Sequence, residues 1–282
     1  MEAFKHEYPL AMMARLLQVS TSGLYQARHS HETPRAQENQ RLKVLIEAQF
    51  NRHKRRYGSP RIYRALRDAG ETCGRHRVTR LMHQMGLKAV YRNRHTPRTN
   101  RIVQLGSAAP NLVERQFEVG EPNQVWLGDI TQLPVREGWL YLAANMDLFS
   151  RRIVGWSLSS RYDVNLVINA LDHATDTRQP GKGLVVHTDQ GSQYRAGDYR
   201  AYLRQQEMKP SMSRKGDCWD NAPMESFFKS MKTELGETRS WHSAQAVTRL
   251  GAYIEHYYNS ERIHSSVGYL SPVQYEKEHG AI

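Results

Sequence analysis

The chain has 282 residues, 39% of them hydrophobic and 24% charged, which suits two or three folded domains and excludes wholesale disorder. No apolar run approaches the ~18 residues that span a bilayer. Two distant cysteines, Cys73 and Cys218, exclude a disulfide scaffold and a four-cysteine zinc site. The first residues carry Glu2, Lys5, His6 and Glu7 and no uninterrupted apolar stretch, so a secretory signal is not expected and a reducing cytosol is the expected address.

The net charge is +12, and its distribution says more than its size. Residues 1–120 hold 22 basic and 9 acidic residues, whereas 121–282 hold 18 and 19. Residues 52–101 contain fifteen Lys and Arg against only Asp68 and Glu71. A solvated basic face explains a mild excess; a cluster this dense points to nucleic acid.

Residues 9–17 place Leu10, Met13, Ala14 and Leu17 at helical spacing. After a short turn, Ser20 or Thr21 can cap a second helix through Tyr25. The pair fits either a helix-turn-helix or an ordinary helical hairpin. Residues 29–37 are polar, contain Pro34 and are expected to be a linker. Residues 39–50 form an amphipathic helix, followed by a basic run that includes Arg55 and Arg56. Ser59 and Pro60 start the next helix as cap and first-turn proline, and Gly70 ends it. Residues 75–84 form another, with Val78, Leu81 and Met82 inward and Gly86 as its stop. Arg75, Arg77, Arg80 and His83 lie on its outer face. This second helix-turn-helix can meet phosphates or base edges of duplex DNA, and Arg77 or Arg80 is the expected base reader. Residues 91–101 look like a basic arm, and a domain boundary is expected within 107–122, where Ala-Ala-Pro, Gly120 and Pro122 occur.

Beyond it the pattern changes. Residues 124–133, 139–149 and 151–159 are expected strands, the last two joined by a turn at Ser150 and Arg151. Then follow a helix over 164–175, a strand over 184–189, a helix over 198–206, a strand over 210–213, and a helix opened by Asn221 as cap and Pro223. That order is the order of a ribonuclease-H-like α/β fold. Asp129 sits mid-strand, where an unpartnered carboxylate is costly. Asp189 ends the fourth strand, and Glu225 lies one turn into the late helix, with 35 residues between them. Three carboxylates so placed suit hard divalent cations, Mg²⁺ or Mn²⁺, which take oxygen ligands from one or two carboxylates plus substrate phosphate. Two such ions can activate an attacking oxygen and stabilise a leaving one. Lys229 and Lys232, on the helical face of Glu225, either contact phosphates or form a solvated edge. His187, Gln190, Ser192, Gln193 and Tyr194 either position substrate or close a loop. Asp147 and Asp220 are rival carboxylates, the first a candidate support for the site and the second more local.

Several ordered segments carry a family resemblance. They are Trp126 to Thr131, Asp147 to Trp156, His187 to Tyr194 and Asp220 to Phe228, with Tyr258-Asn259-Ser260-Glu261-Arg262-Ile263-His264 and Gly268 to Pro272 in the tail and Arg56 to Ile62 near the start. The chain resembles the insertion-sequence-three family of transposases, in particular the product of the second reading frame. The resemblance implies an integrase core of the Asp-Asp-Glu type, with Asp129, Asp189 and Glu225 in the triad positions. It implies metal-dependent cleavage of transposon ends by water, then attack of the freed 3′-hydroxyl on another phosphodiester. It also implies a homo-oligomer acting on paired terminal repeats and target DNA, a possible first-reading-frame partner or fusion, no membrane, and a bacterial cytoplasmic address on the nucleoid. Gly128 departs from the family, where a larger residue or Thr is expected; that changes packing rather than ligation.

The expected division is thus 1–35 as a helix-turn-helix-like segment, 39–105 as a basic helix-turn-helix domain with its arm, and 120–282 as a ribonuclease-H-like integrase core with a helical tail. Retroviral-type integrases add a His/Cys zinc module that two distant cysteines cannot make. The remaining rivals are a DNA-binding regulator with an inactive core and a ribonuclease-H-like nuclease. The latter has no need of two basic helical modules.

Overall fold

The computed structural model describes residues 8–20, 22, 33–90, 108–214 and 218–282. They fall into two compact units, 1–89 and 90–282. The expected second helix of the first module and the basic arm over 91–101 lie outside the described residues.

The first unit contains helices α1 (Leu10–Leu16), α2 (Pro34–Arg52), α3 (Ser59–Asp68) and α4 (Arg75–Gln84). Helix α2 begins earlier than the linker expectation allowed. Pro34 occupies its first turn, where a missing N–H costs nothing, and the Thr33 hydroxyl accepts the Ala36 N–H at 3.2 Å. Helix α3 is capped by Gly58, so Ser59 is its first residue rather than its cap. Gly70 adopts φ +87°, a left-handed conformation that closes α3 as the Glu71 N–H turns back to the Leu66 carbonyl. Leu42, Ile46, Phe50, Ile62, Leu66, Val78 and Leu81 are buried and make the core of this unit.

The second unit is built on a five-stranded sheet ordered β3-β2-β1-β4-β5. Its strands are β1 (Val125–Val135), β2 (Gly138–Asp147), β3 (Ile153–Ser159), β4 (Val185–Thr188) and β5 (Lys209–Met212). The first three are antiparallel, and β4 and β5 add in parallel beside β1. Strand β2 stops at Asp147 and β3 starts at Ile153, so the connection is longer than the expected turn at Ser150 and Arg151. The Asp147 carboxylate accepts the N–H of Phe149 at 3.1 Å and of Asn123 at 2.9 Å, and Arg151 turns with φ +65°.

Side-chain alternation along β1 feeds two cores. Leu127, Leu133 and Val135 join Met224, Phe227, Phe228 and Met231 of α8 (Ala222–Leu235). Trp126 joins α5 (Val164–Arg178) and α7 (Gly197–Gln205) on the other face. Short α6 (Ser192–Arg195) follows β4. Gly155 on β3 lets α5 approach: a Cβ there would stand 2.4–2.5 Å from Ala174 and from the Ala170 carbonyl.

The tail forms α9 (Ser243–Gly251), which runs on as a π-helix (Ala252–Tyr258), and α10 (Pro272–Glu278). Glu276 of α10 is fully buried and accepts from Arg152, Arg178 and Ser150, so the tail is stapled to the sheet. A second buried pair, Arg262 with Glu234 at 2.9 Å, ties it to the end of α8.

Candidate active site

Strand pairing brings two of the expected carboxylates together. Leu127 of β1 pairs in parallel with His187 of β4. Asp129 and Asp189 each lie two residues beyond that pair, Asp129 still within β1 and Asp189 just past the end of β4, so they stand side by side. Asp129 is half-buried, and its Oδ1 accepts the Ile130 N–H at 2.8 Å. Asp189 has left the strand, and its Oδ1 accepts the Gly191 N–H at 2.9 Å.

Glu225 approaches from α8, exposed in the first turn. Asn221 does not cap this helix with its side chain as expected. Its Nδ2 instead donates to the Gly128 carbonyl at 3.2 Å, tying the start of α8 to the peptide before Asp129. The preceding residue, Asp220, is fully buried and accepts from Asn111, Arg115 and Arg214. Arg214 above all holds the Asp220 carboxyl well below its ordinary range. Asp220 therefore fixes the turn that delivers Glu225 and contributes no free carboxylate.

The electrostatics follow from this crowding. Loss of water raises the Asp129 carboxyl well above its ordinary value, and the charges of Asp189 and Glu225 push the same way; Lys232 opposes them. Desolvation also raises Asp189, against the Gly191 N–H, and raises Glu225. The donor set is all oxygen, crowded and short of positive charge. Among the described residues, no three or more His, Cys, Asp or Glu side chains stand together so as to hold a metal ion.

The neighbours sort themselves. Lys232 is half-buried and acts on Asp129, whereas Lys229 is exposed on the outer face of α8. His187 is fully buried and turned toward β5, at 2.8 Å from Ser211 Oγ and 3.2 Å from Ser213 Oγ. Burial pushes its imidazole down to about 4, so it is neutral near pH 7. Gln190 donates to the Ser213 carbonyl, Gln193 to the Tyr162 carbonyl, and Ser192 to Gln193; these side chains close the loop after Asp189. Tyr194 is buried and Tyr162 exposed; desolvation first, then the charges of Asp129 and Asp189, raises both phenols. Tyr162 carried no signal in the sequence. Asp147 bonds Arg178 at 3.1 Å in the tail network and does not enter the site. A Cβ at Gly128 would meet Asn145 Oδ1 at 3.1 Å and Thr188 Cγ2 at 3.2 Å, so the small residue keeps β1 close to its neighbours here.

In the first unit, Arg75, Arg80 and Arg55 are exposed and Arg56 is half-buried. Arg77 is half-buried, and its Nε donates to Asn39 Oδ1 at 2.9 Å. His53 stacks on Tyr57 with ring centroids 3.8 Å apart, and the Arg61 guanidinium lies 5.5 Å from the Tyr57 ring centroid.

A mixed five-stranded sheet of this order, with one acidic residue inside the central strand and another just past the end of its parallel neighbour, is a ribonuclease-H-like integrase core, and a helix-turn-helix-like region precedes it in the chain. Residues 120–218 and 206–272 match models of the integrase core domain, and 37–95 match an HTH-like domain. The transposase for insertion sequence element IS904 of Lactococcus lactis is 45% identical over 253 residues, covering 88% of this chain and 98% of that protein. Transposase InsF for insertion sequence IS3A of Escherichia coli is 39% identical over 280 residues, covering 98% and 97%. Among solved structures, the HTLV-2 integrase catalytic core domain in complex with magnesium aligns at 15% identity and a TM-score of 0.42, over 55% of this chain and 96% of that one. The chain belongs to the insertion-sequence-three family of transposases.

Proposed function

We propose that this protein is the catalytic transposase of an insertion sequence, acting on the terminal repeats of its element and on target DNA. The observation that carries the proposal is the placement of Asp129 and Asp189 two residues past one paired register point, with α8 and Glu225 tied to the same strand through Asn221.

In the first step a water oxygen forms a bond to phosphorus, the bond from phosphorus to the 3′ oxygen breaks, and one hydrogen of the water ends on that 3′ oxygen. In the second, the freed 3′-hydroxyl attacks another phosphodiester, exchanging one phosphodiester bond for another. Asp129, Asp189 and Glu225 suit Mg²⁺ or Mn²⁺, two ions in all, because the donors are hard oxygens whose mutual repulsion a divalent cation relieves. When bound, such ions neutralise charge on the attacking and leaving oxygens. Lys232, beside Asp129, holds a neighbouring phosphate, and Lys229 extends that contact along α8.

The basic helices of the first unit bring the DNA. Arg55, Arg56 and Arg75 hold phosphates and Arg80 reads a base, with Arg77 supporting α4 from behind. Two element ends must meet, so the working species is a homo-oligomer, with a first-reading-frame product as partner or fusion. Among the described residues no helix is long and apolar enough to cross a membrane, and the working address is the bacterial nucleoid. The test is a nicking assay on duplex DNA carrying an element end, with Mg²⁺ and with chelator. Nicking that needs the metal supports the reading; DNA binding without nicking favours a regulator.

A further inference from the structure

A groove leads away from the carboxylates along two elements at once. Gln132 lies three residues past Asp129 on β1, and Lys232 lies seven past Glu225 on α8, on the same helical face. Three residues of strand and seven of helix both span about 10 Å, so the two elements reach the same distance from the acids. There they line one cavity of about 500 Å³, with Trp139, Thr233 and Arg239 as further walls. Trp139, near the start of β2 and paired with Pro134, is 50% exposed. Glu237 also lines the cavity, and Arg239 stands 4.0 Å from it and offsets its charge. The walls thus offer one flat apolar ring, with Lys232 at the end nearer Asp129. A ring beside cations is the chemistry of a single-stranded nucleotide site, where the base stacks and the phosphate is held by charge. A duplex presents only base edges in its grooves and has no free face for such a ring.

We infer that this groove seats an unpaired nucleotide of the element end beside the cleaved phosphodiester, its base stacked on Trp139 and its phosphate between Lys232 and Arg239. This rests on the function proposed above and names where the strand lies once it has passed the carboxylates. Drawing a base out of the stack opens the end of the duplex, so the scissile phosphate can reach a half-buried Asp129. Trp139 is a positioning residue: it holds the neighbouring base and stands apart from the reacting phosphorus. Its contribution therefore shows in how tightly the end is bound.

The test separates a ring that stacks on DNA from one that packs within the protein. Full-length protein is titrated with duplex element ends carrying one abasic nucleotide, moved a position at a time across the cleavage site, in chelator so that the strands stay whole. The wild type is expected to lose about 10-fold in affinity at one or two positions, the scale of one base–aromatic stack. Trp139→Ala is expected to bind the native end about 10-fold more weakly and to lose nothing further at those positions, because the contact is already gone. Trp139→Phe keeps a ring and is expected to keep the wild-type profile. A mismatch at the sensitive position lowers the cost of unpairing, so it is expected to tighten binding by the wild type more than by Trp139→Ala. A Trp139→Ala profile with the wild-type abasic losses, an equal gain from the mismatch in both proteins, or a wild type with no sensitive position overturns the proposal. If Trp139→Ala does not fold, Trp139→Thr, with its strand preference, takes its place. Nicking by the wild type in Mg²⁺ without this coupling defeats only the inference. Coupling without nicking defeats the catalytic reading and leaves the groove as a nucleotide site.

Discussion

Arg77 donates its Nε–H to Asn39 Oδ1 at 2.9 Å, so this arginine of α4 is held by the neighbouring helix α2. Arg80, one turn on, stays exposed. The two are therefore expected to separate. Arg80→Ala should cost ~1–3 kcal/mol on the native end and relax preference at one base pair. Arg77→Ala should lower the stability of the first unit and weaken all sequences alike. Binding to a panel of end variants checks this; a position-specific loss from Arg77→Ala and a uniform one from Arg80→Ala would reverse the assignment.

His53 gives a pH dependence of defined sign. Burial, with Arg52, Arg56 and Arg61 nearby, pushes its imidazole down to about 4, against ~6.5 unfolded. Between those values the unfolded chain binds the extra proton, so stability rises with pH. It is complete above about 6.5 and lost as pH falls toward 4, by an amount on the order of 3 kcal/mol. An NMR titration should place the His53 midpoint near 4. A midpoint at the unfolded value would show that the ring is not held against Tyr57.

The tail staple is testable by removing its acid. Glu276 is fully buried against Arg178, itself 6% exposed, at 2.9 Å. Asp147 is the other carboxylate on that guanidinium. Glu276→Ala is expected to cost ~3–5 kcal/mol in urea unfolding, the scale of breaking a buried pair from one side. A loss below about 1 kcal/mol would mean that Arg178 is satisfied without α10.

Gly155 offers a steric check. A methyl there meets the Ala170 and Ala174 backbone at 2.4–2.5 Å, and neither is the end of a flexible side chain. Gly155→Ala should cost ~1–3 kcal/mol by overpacking, with α5 forced from the sheet. A neutral effect in the same unfolding experiment would contradict the spacing of β3 and α5.

Much of the core was legible because its signals are local. Asp129 stood out as a charge inside a two-residue alternation, Asp189 as the end of an apolar run, and Glu225 as an acid in a helix's first turn. What was not legible depends on distant partners. Pro34 has the same letters in a linker and in a helix's first turn; the Thr33 bond decides between them. Asn221 is a good cap residue by type, yet its partner lies 93 residues away. Arg77 and Arg80 have the same chemistry in sequence, and only the position of Asn39 distinguishes them. The tail was seen by its resemblance alone. Its anchors, Glu276 to Arg178 and Arg262 to Glu234, are long-range pairs that no spacing announces.

The central claim is that Asp129, Asp189 and Glu225 act together on DNA phosphodiesters. The most direct measurement is single-turnover nicking and joining of an element end by Asp129→Asn, Asp189→Asn and Glu225→Gln at saturating Mg²⁺, with duplex affinity measured alongside. An amide keeps the shape of the carboxylate but binds a divalent cation far worse. Each substitution is expected to reduce both reactions by at least about 100-fold, beyond the 10–100-fold typical of outer-shell partners, with affinity unchanged. Near-wild-type nicking by any one of the three would remove that residue from the site and contradict the account.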